Sequence, residues 1–301
     1  MTVALPTRQQ FVAAVDAATR VTLSAYELSA NGRTAAALER AADRGARVTV
    51  ALEGTPYGDV ADAGRVALEN EETAAALRRH GVAVRLTGPG DLPLHMKAAV
   101  VDSTAYLDDR NWPSFGADTL VATDDASAVA AVRSALDGTP ASTADLATEK
   151  SYALGIEAQT IYAAAGDRVE VESESFGTSV VSAALRSRAA AGAHVRLIVA
   201  RREFAHANAS ERASLDRLVT AGVEVRVAAE AEKLCIAGDR AWVGSANATY
   251  ANPAEPVLDW GMRVTAPVAV RALEATFARS WDSASSIMPG TAFARSRSCV
   301  R

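Results

Sequence analysis

The sequence repeats itself at a distance of about half its length, and this repeat limits the folds that the chain can adopt. Residues of the same type recur at an offset that falls from 147 early in each half to 136 later on. The matched pairs are Glu27 with Glu174, Gly45 with Gly192, Gly81 with Gly222, Lys97 with Lys233, and Asn111 with Asn247. Such a duplication predicts two copies of one supersecondary unit, packed about a pseudo-twofold axis, with shorter loops in the second copy.

Each half alternates apolar segments typical of strands with amphipathic segments typical of helices. The predicted strands are 20–28, 47–52, 82–86, 94–102, 105–107, 119–123, 170–174, 194–199, 223–227, 233–237, 241–243 and 258–265. The predicted helices are 33–44, 64–80, 125–136, 145–165, 178–191, 209–221 and 267–283. This order predicts α/β units with βαβ crossovers, each a mixed or mostly parallel sheet flanked by helices. The segment 138–143, rich in Gly, Pro, Ser and Thr, is the predicted linker, and it divides the chain into units 1–140 and 141–301.

One predicted strand of the first half carries the pattern H-x-K-x-x-x-x-D, formed by His95, Lys97 and Asp102. Residues two apart in a strand point to the same face, so His95 and Lys97 are expected side by side. Asp102 falls at the end of the predicted strand, where it is expected to turn back toward the imidazole. Three of the 31 basic residues are lysines, and two of them, Lys97 and Lys233, occupy matched positions of the repeat. Because an ammonium and a guanidinium are not interchangeable at a tight anion site, these two lysines are candidate functional residues.

The pattern, the downstream Asn111 and the repeat together resemble the phospholipase D superfamily, over roughly residues 20–283. The resemblance implies two pseudo-twofold-related phospholipase D-like α/β sandwich units, whose motifs meet to cleave or transfer a phosphodiester. In that family one His forms a phosphohistidine, and the opposite His protonates the leaving oxygen. Carried over to this sequence, His95 is the nucleophile and Asp102 orients it. The residues implied to hold the phosphate are Lys97, Lys233, Asn111, Asn247 and Ser245. The implied mechanism needs no metal or other cofactor, because the imidazole is the nucleophile.

The second copy of the motif, at 231–238, is degenerate. Lys233 remains, but Ala231 stands where the family has its second His, and Gly238 stands where it has Asp. The segment 244–247 still matches the G-S-x-N of the family. Loss of a general acid typically costs about 10²–10⁴-fold in rate. The second half therefore retains groups that hold phosphate and lacks the group that transfers a proton.

Three consequences of this loss remain open. Another residue acts as the acid, with His206, Glu27 and Glu174 as candidates near strand ends, where ligands collect. Alternatively, two chains pair and bring two copies of His95 together, or the site only binds a phosphate-containing ligand. Asp108 and Asp109 replace the Gly-Ser pair in the first copy, and they are expected to point to solvent because carboxylates repel phosphate.

These features predict a phospholipase D-like phosphodiesterase or phosphatidyl-type transferase that acts through His95. The alternative is an impaired pseudoenzyme that binds a phosphate-containing ligand or a protein partner. A net charge of −5 and the absence of a dense basic run favour a phospholipid over nucleic acid as the partner. No apolar run approaches the length of a membrane span, and the N-terminal residues do not resemble a secretory signal. A cytoplasmic protein is therefore predicted, with a monomer favoured over a homodimer.

Overall fold

Two mixed β-sheets, one from each half of the chain, form the framework of the molecule. The computed structural model describes residues 3–57, 60–112 and 119–286. The first half contributes α1 (Arg8–Ala17), β1 (Arg20–Ala25), α2 (Arg33–Asp43), β2 (Arg47–Leu52), α3 (Val60–Arg79), β3 (Ala83–Leu86), β4 (Ala98–Val101), β5 (Thr104–Asp108), β6 (Leu120–Thr123) and α4 (Ala126–Leu136). The second half contributes β7 (Leu146–Glu149), α5 (Lys150–Tyr162), β8 (Arg168–Ser173), α6 (Val180–Ala190), β9 (His194–Ala200), α7 (Arg201–His206), α8 (Ala209–Thr220), β10 (Glu224–Ala228), β11 (Leu234–Ala237), β12 (Arg240–Gly244), β13 (Leu258–Val264), α9 (Pro267–Ser283) and β14 (Ser285–Ser286).

The two sheets share one topology. The first has the order β3-β2-β1-β4-β5-β6, with β1 to β3 parallel and β4 to β6 antiparallel. The second repeats this order as β10-β9-β8-β11-β12-β13, and it is extended by β14 at one edge and β7 at the other. The predicted fold class, two α/β units with mixed sheets flanked by helices, is confirmed.

Strand pairing sets the register of the repeat more finely than the sequence comparison did. Strands β1 and β8 begin at residues 20 and 168, an offset of 148, whereas α2 and α6 begin at 33 and 180, an offset of 147. The pairings of β1 with β4 and of β8 with β11 keep the strand offset. The structural counterpart of Glu174 is therefore Tyr26, and Glu27 lies one residue further along.

Several observed elements differ from the prediction, and α7 and β14 are two that were not predicted. Helix α1, which begins with a capping box formed by Thr7 and Gln10, was not predicted. The motif strand begins only at Ala98, so His95 and Lys97 lie on an extended segment before β4. The predicted helix 145–165 is divided, because Leu146–Glu149 pairs with β13 and the Glu149 carboxylate then caps α5.

An apolar core joins the two halves. Met96 and Val100 from the first half pack in the same cluster as Ile198, Trp260 and Phe277 from the second. Helices α4 and α9 contribute their buried faces to this cluster as well. Because burial of apolar surface is the main favourable term in association, the shared core holds the strand ends of both halves against each other. None of the described helices is both long and apolar enough to cross a membrane.

Candidate active site

A cleft lies between the two halves, at the edge where β1 and β8 end and where β4 and β11 begin. Its inner cavity, of about 220 Å³, is lined by His95, Lys97, Arg110, Asn111, Glu174, Glu230 and Lys233. The adjoining outer cleft, of about 680 Å³, shares His95, Asn111 and Glu174 with the inner cavity. The outer cleft also brings in Tyr26, Glu27, Tyr57, His206 and Asn247. The fold thus gathers the predicted His, both motif lysines and both asparagines around one cleft.

His95 is held by a carboxylate from the other half of the chain. Its Nδ1 lies 3.2 Å from each carboxylate oxygen of Asp259. The backbone supports this contact, since the His95 N–H donates to the Leu258 carbonyl over 2.8 Å and the Leu258 N–H donates to the Pro93 carbonyl over 2.9 Å. An imidazole whose Nδ1–H donates to a carboxylate carries its lone pair on Nε2. The arrangement therefore leaves Nε2 as the nucleophilic nitrogen.

The charges of this pair suit nucleophilic attack. Burial alone would raise the pKa of Asp259, but His95, Lys97 and the Ser245 hydroxyl outweigh burial and lower this pKa to about 2. Burial and the Lys97 ammonium lower the pKa of His95, and the nearby Asp259 opposes them only in part. An ionised carboxylate therefore faces a neutral imidazole, which is the nucleophilic form.

Two facing glycines lie on β12 and on β13, the strand that carries Asp259. Gly244 and Gly261 are paired across β12 and β13, and the indole of Trp242 packs over both. A Cβ at either position would come within 2.5 Å of the indole or of backbone, so glycine is required at both. Ser245 follows the first glycine, donates a hydrogen bond to Asp259 Oδ1, and accepts one from the Trp260 N–H over 3.0 Å.

The prediction that Asp102 orients His95 is wrong. The two residues lie at opposite ends of β4, roughly 20 Å apart at about 3.3 Å per residue. The Asp102 carboxylate instead accepts hydrogen bonds from the Thr19 hydroxyl over 2.8 Å and from the Arg20 N–H over 2.9 Å. Thr19 is the first cause of a lowered pKa at Asp102. Asp102 therefore fastens the β4–β5 turn to the start of β1.

The two motif lysines occupy different electrostatic environments. Lys233 Nζ lies 2.9 Å from Glu174 Oε2 and donates to the Asp109 carbonyl over 3.1 Å. Within the described part of the chain Lys97 makes no ion pair, and its Nζ lies 5.6 Å from the centroid of the Tyr26 ring. Burial lowers the pKa of Lys97 to about 7. Burial would also lower the pKa of Lys233, but Glu174 and Asp109 outweigh it and raise that pKa.

The predicted phosphate ligands fall into two groups. Asn247 Oδ1 accepts a hydrogen bond from the Ser175 N–H over 3.1 Å, which leaves the amide NH₂ for the outer cleft. Asn111 Oδ1 is buried and has no hydrogen-bond partner among the described residues, so this oxygen can accept a hydrogen bond from a donor group of a ligand. The role predicted for Ser245 is wrong, because its hydroxyl is fully buried and is used to hold Asp259.

No replacement for the missing acid is evident among the residues proposed from the sequence. Glu27 is bound by Arg65 over 2.6 Å. Lys233 lowers the pKa of Glu174 to about 2, so Glu174 carries no proton at neutral pH. His206 ends α7 and lines the outer cleft. Ala231 itself is buried, at 4% exposure.

Asp108 and Asp109 do not point to solvent, and that prediction is wrong. Both are fully buried. Asp108 Oδ2 accepts hydrogen bonds from Arg8 Nη2 and from the Trp112 N–H, each over 2.9 Å. Asp109 Oδ2 accepts one from the Lys233 N–H over 3.2 Å. Burial raises the pKa of Asp108 to about 6 and that of Asp109 well above its ordinary range. The pair ties α1 and the second motif together behind the cleft.

Several residues of the cleft were not predicted from the sequence. The rings of Tyr26 and Tyr57 lie 5.2 and 6.1 Å from the imidazole of His95, measured between centroids. Arg110 joins the halves through a 2.6 Å ion pair with Glu230. Asp259 did leave a signal, since it is a carboxylate in the otherwise apolar start of a predicted strand, and a buried charge requires a partner.

Comparisons with known proteins bear on the fold and on one domain of the chain. Residues 159–281 match the profile of the family described as "Cardiolipin synthase, PLD-like domain". No curated protein sequence matches the chain. The polyphosphate kinase from Porphyromonas gingivalis is similar in structure, with a TM-score of 0.68 and 17% identity over 95% of this chain and 48% of that one. The phosphatidylserine synthase from Haemophilus influenzae Rd KW20 has a TM-score of 0.62 and 10% identity over 95% of this chain and 87% of that one.

The structural matches extend over both halves of the chain, whereas the family profile falls on the half with the degenerate motif. The chain spans about half the length of the polyphosphate kinase. At these identities the two solved structures show a shared fold. The profile therefore shows a phospholipase D-like domain in residues 159–281, and the chain as a whole shares its fold with the two solved structures.

Proposed function

We propose that the protein is a phosphodiesterase or phosphatidyl-type transferase that acts through a phosphohistidine on His95. The observation that carries this proposal is the 3.2 Å contact of His95 Nδ1 with Asp259. It orients the imidazole and leaves Nε2 free beside a cavity that contains Lys97 and Lys233. A nucleophile held by an orienting group, next to cations for the developing charge, is the arrangement that covalent catalysis requires.

The proposed reaction has two steps. Nε2 of His95 attacks phosphorus, and the bond from phosphorus to the leaving oxygen breaks, while Lys97 and Lys233 hold the nonbridging oxygens. Asp259 retains the Nδ1 proton on the ring and stabilises the positive charge that develops there. Water or an acceptor alcohol then attacks phosphorus and the P–N bond breaks, which yields a phosphomonoester or a new diester and restores neutral His95. With alanine at position 231, solvent supplies the proton to the leaving oxygen and removes the proton from the attacking hydroxyl.

The charge of the cleft supports a phospholipid as substrate over nucleic acid. The outer cleft carries four carboxylates, beside the guanidinium groups of Arg65 and Arg202, so it has no excess of positive charge. The whole chain has a net charge of −5. Tracking a polyanion requires a continuous basic groove, whereas a single phosphodiester needs cations only at one point. The shared core brings both motifs together within one chain, which supports a monomer as the active unit.

A second candidate function is binding without turnover. The observation that favours it is the buried Ala231 at the position of the general acid. The intact nucleophile and its carboxylate support the enzyme instead, because binding alone needs neither. A diester with a good leaving group needs no acid, so activity on such substrates fits both Ala231 and His95.

Trapping the covalent intermediate tests the proposed function. We expect the intact protein, incubated with a diester labelled on phosphorus and quenched without acid, to carry the label on His95. The His95→Ala variant is expected to carry none, and His206→Ala is expected to label normally, because His206 lies in the outer cleft. If the intact protein binds the diester and never forms the adduct, binding without turnover is the function.

We expect the affinity for a phosphodiester to fall as the pH rises above about 7. Without a ligand the pKa of Lys97 is about 7, so Lys97 is mostly neutral above that pH. Binding of an anion then requires that Lys97 take up a proton. The expected loss approaches about tenfold per pH unit until the pKa of Lys97 in the complex is reached. Calorimetric titration with dimethyl phosphate, in buffers of different ionisation enthalpy, should detect uptake of about one proton per ligand.

The matched control for this pH dependence is Lys97→Arg. A guanidinium stays charged throughout the range, so the affinity of this variant is expected to be independent of pH and to involve no proton uptake. A flat profile for the unsubstituted protein, or a slope that persists in Lys97→Arg, would assign the titration to another group.

A further inference from the structure

The motif lysines of the two halves, Lys97 and Lys233, have different neighbours. At the end of β8, the Glu174 carboxylate lies 2.9 Å from Lys233 Nζ. At the end of β1, the structural counterpart of Glu174 is Tyr26, whose ring faces Lys97 Nζ at 5.6 Å. Glu27, one residue further on, is bound by Arg65 over 2.6 Å. One ammonium is therefore neutralised by a carboxylate, and the other faces an aromatic ring.

The Glu174 carboxylate also lines the inner cavity, together with His95 and both lysines. A phosphate group in this cavity meets two ammonium groups, one of which is already paired. It also meets a fixed negative charge, since the pKa of Glu174 is lowered to about 2 by Lys233. The repulsion from this charge is twice as large for a doubly charged phosphate as for a singly charged one, because Coulomb energy scales with the product of the charges.

We infer that Glu174 is a specificity-determining residue, which restricts the inner cavity to singly charged phosphodiesters and disfavours doubly charged phosphomonoesters. The inference rests on the proposed phosphodiester site, and it concerns how that site binds phosphate rather than its turnover. A phosphomonoester carries between one and a half and two negative charges at neutral pH. Hydrolysis converts a singly charged diester into such a group, so Glu174 also weakens the hold of the site on its own product.

The charge-neutral variant Glu174→Gln tests this role by binding. Gln has nearly the same shape, and its amide oxygen still accepts a hydrogen bond from Lys233. Calorimetry at about pH 8 compares dimethyl phosphate, which carries one charge, with methyl phosphate, which carries about two. We expect the variant to bind dimethyl phosphate about tenfold more tightly and methyl phosphate about a hundredfold more tightly than the unsubstituted protein.

Glu230→Gln is the matched control. Glu230 lines the same inner cavity and makes a 2.6 Å ion pair with Arg110, but its side chain is 66% exposed, against 38% for Glu174. Water screens such a charge, so the same change of net charge is expected to alter either affinity by less than about twofold. If Glu230→Gln shifts the two affinities as strongly as Glu174→Gln does, the effect comes from net charge and the inference is overturned.

A second variant provides the test if Glu174→Gln does not fold. Tyr26→Glu places a carboxylate over Lys97, where the repeat has Glu174 over Lys233, and it is expected to weaken binding of methyl phosphate more than that of dimethyl phosphate. Tyr26→Phe is expected to leave the ratio of the two affinities unchanged. An unchanged ratio in Glu174→Gln, or in Tyr26→Glu, overturns the inference. Absence of the His95 adduct removes the proposed chemistry and leaves this ratio intact, so the two failures are distinguishable.

Discussion

Replacement of Asp259 by asparagine is expected to slow formation of the His95 phosphohistidine by about 10³–10⁴-fold. Asparagine keeps the size of the side chain and removes the negative charge that lies 3.2 Å from Nδ1. Its amide NH₂ can also donate to Nδ1, which moves the ring proton to Nε2 and blocks the attacking lone pair. The rate of adduct formation in a single turnover, at saturating diester, is the measurement that reports this step directly.

Asp102→Asn is the matched control, since it makes the same substitution at the carboxylate that the motif itself contains. Asp102 bonds to Thr19 and Arg20 at the far end of β4, so its loss is expected to lower thermal stability and to leave the rate of adduct formation nearly unchanged. Equal losses of rate in both variants, or a loss only in Asp102→Asn, would return the orienting role to Asp102.

The fold was predictable because its signals are local and occur twice. Apolar periodicity and glycine helix ends define each strand and helix separately, and the repeat confirms each assignment in the other half. Helix α1 buries only Phe11 and Val15, so its apolar periodicity is a weak signal. Strand β7 looked helical because it runs directly into α5, and only its pairing with β13 makes it a strand.

The site was predictable where neighbours in sequence are neighbours in space. His95 and Lys97 lie two residues apart and line the same cavity. Asp102 also looked like a neighbour, but an extended chain carries it to the other end of β4. The true partner, Asp259, lies 164 residues away in the other half, where no local spacing points to it.

Buried charge was the second source of error. Asp108 was expected in solvent because a carboxylate beside a phosphate site repels the ligand. Its partner is Arg8, 100 residues earlier, on the helix that the sequence did not reveal. The offset between strands β1 and β8 is one residue larger than that between helices α2 and α6. The sequence comparison used the helix offset, and it therefore paired Glu174 with Glu27 instead of Tyr26. Long-range pairings of this kind depend on how the two halves dock, which is a property of the assembled core.

Replacement of Ala231 by histidine is expected to speed the cleavage of diesters with poor leaving groups by at least about 10²-fold. Lys97 and Lys233 occupy matched positions in the repeat, so a histidine at 231 stands where His95 stands in the first motif. It would donate the proton that a basic leaving oxygen needs as its bond to phosphorus breaks. Good leaving groups depart as stable anions, so the cleavage rate of diesters that carry them is expected to change little.

The dependence of the cleavage rate on leaving-group basicity shows whether Ala231→His acts as a general acid or only changes the shape of the cleft. Without a general acid, the rate of the unsubstituted protein is expected to fall steeply as the leaving group becomes more basic, and Ala231→His is expected to flatten that dependence. Ala231→Phe introduces a ring of similar bulk with no proton to give, and it is expected to keep the steep dependence. Because Ala231 is buried, thermal unfolding of both variants must first show that the larger side chains are tolerated. A shallow dependence in the unsubstituted protein would mean that another group already supplies the proton, and His206→Ala would then be the variant expected to steepen it.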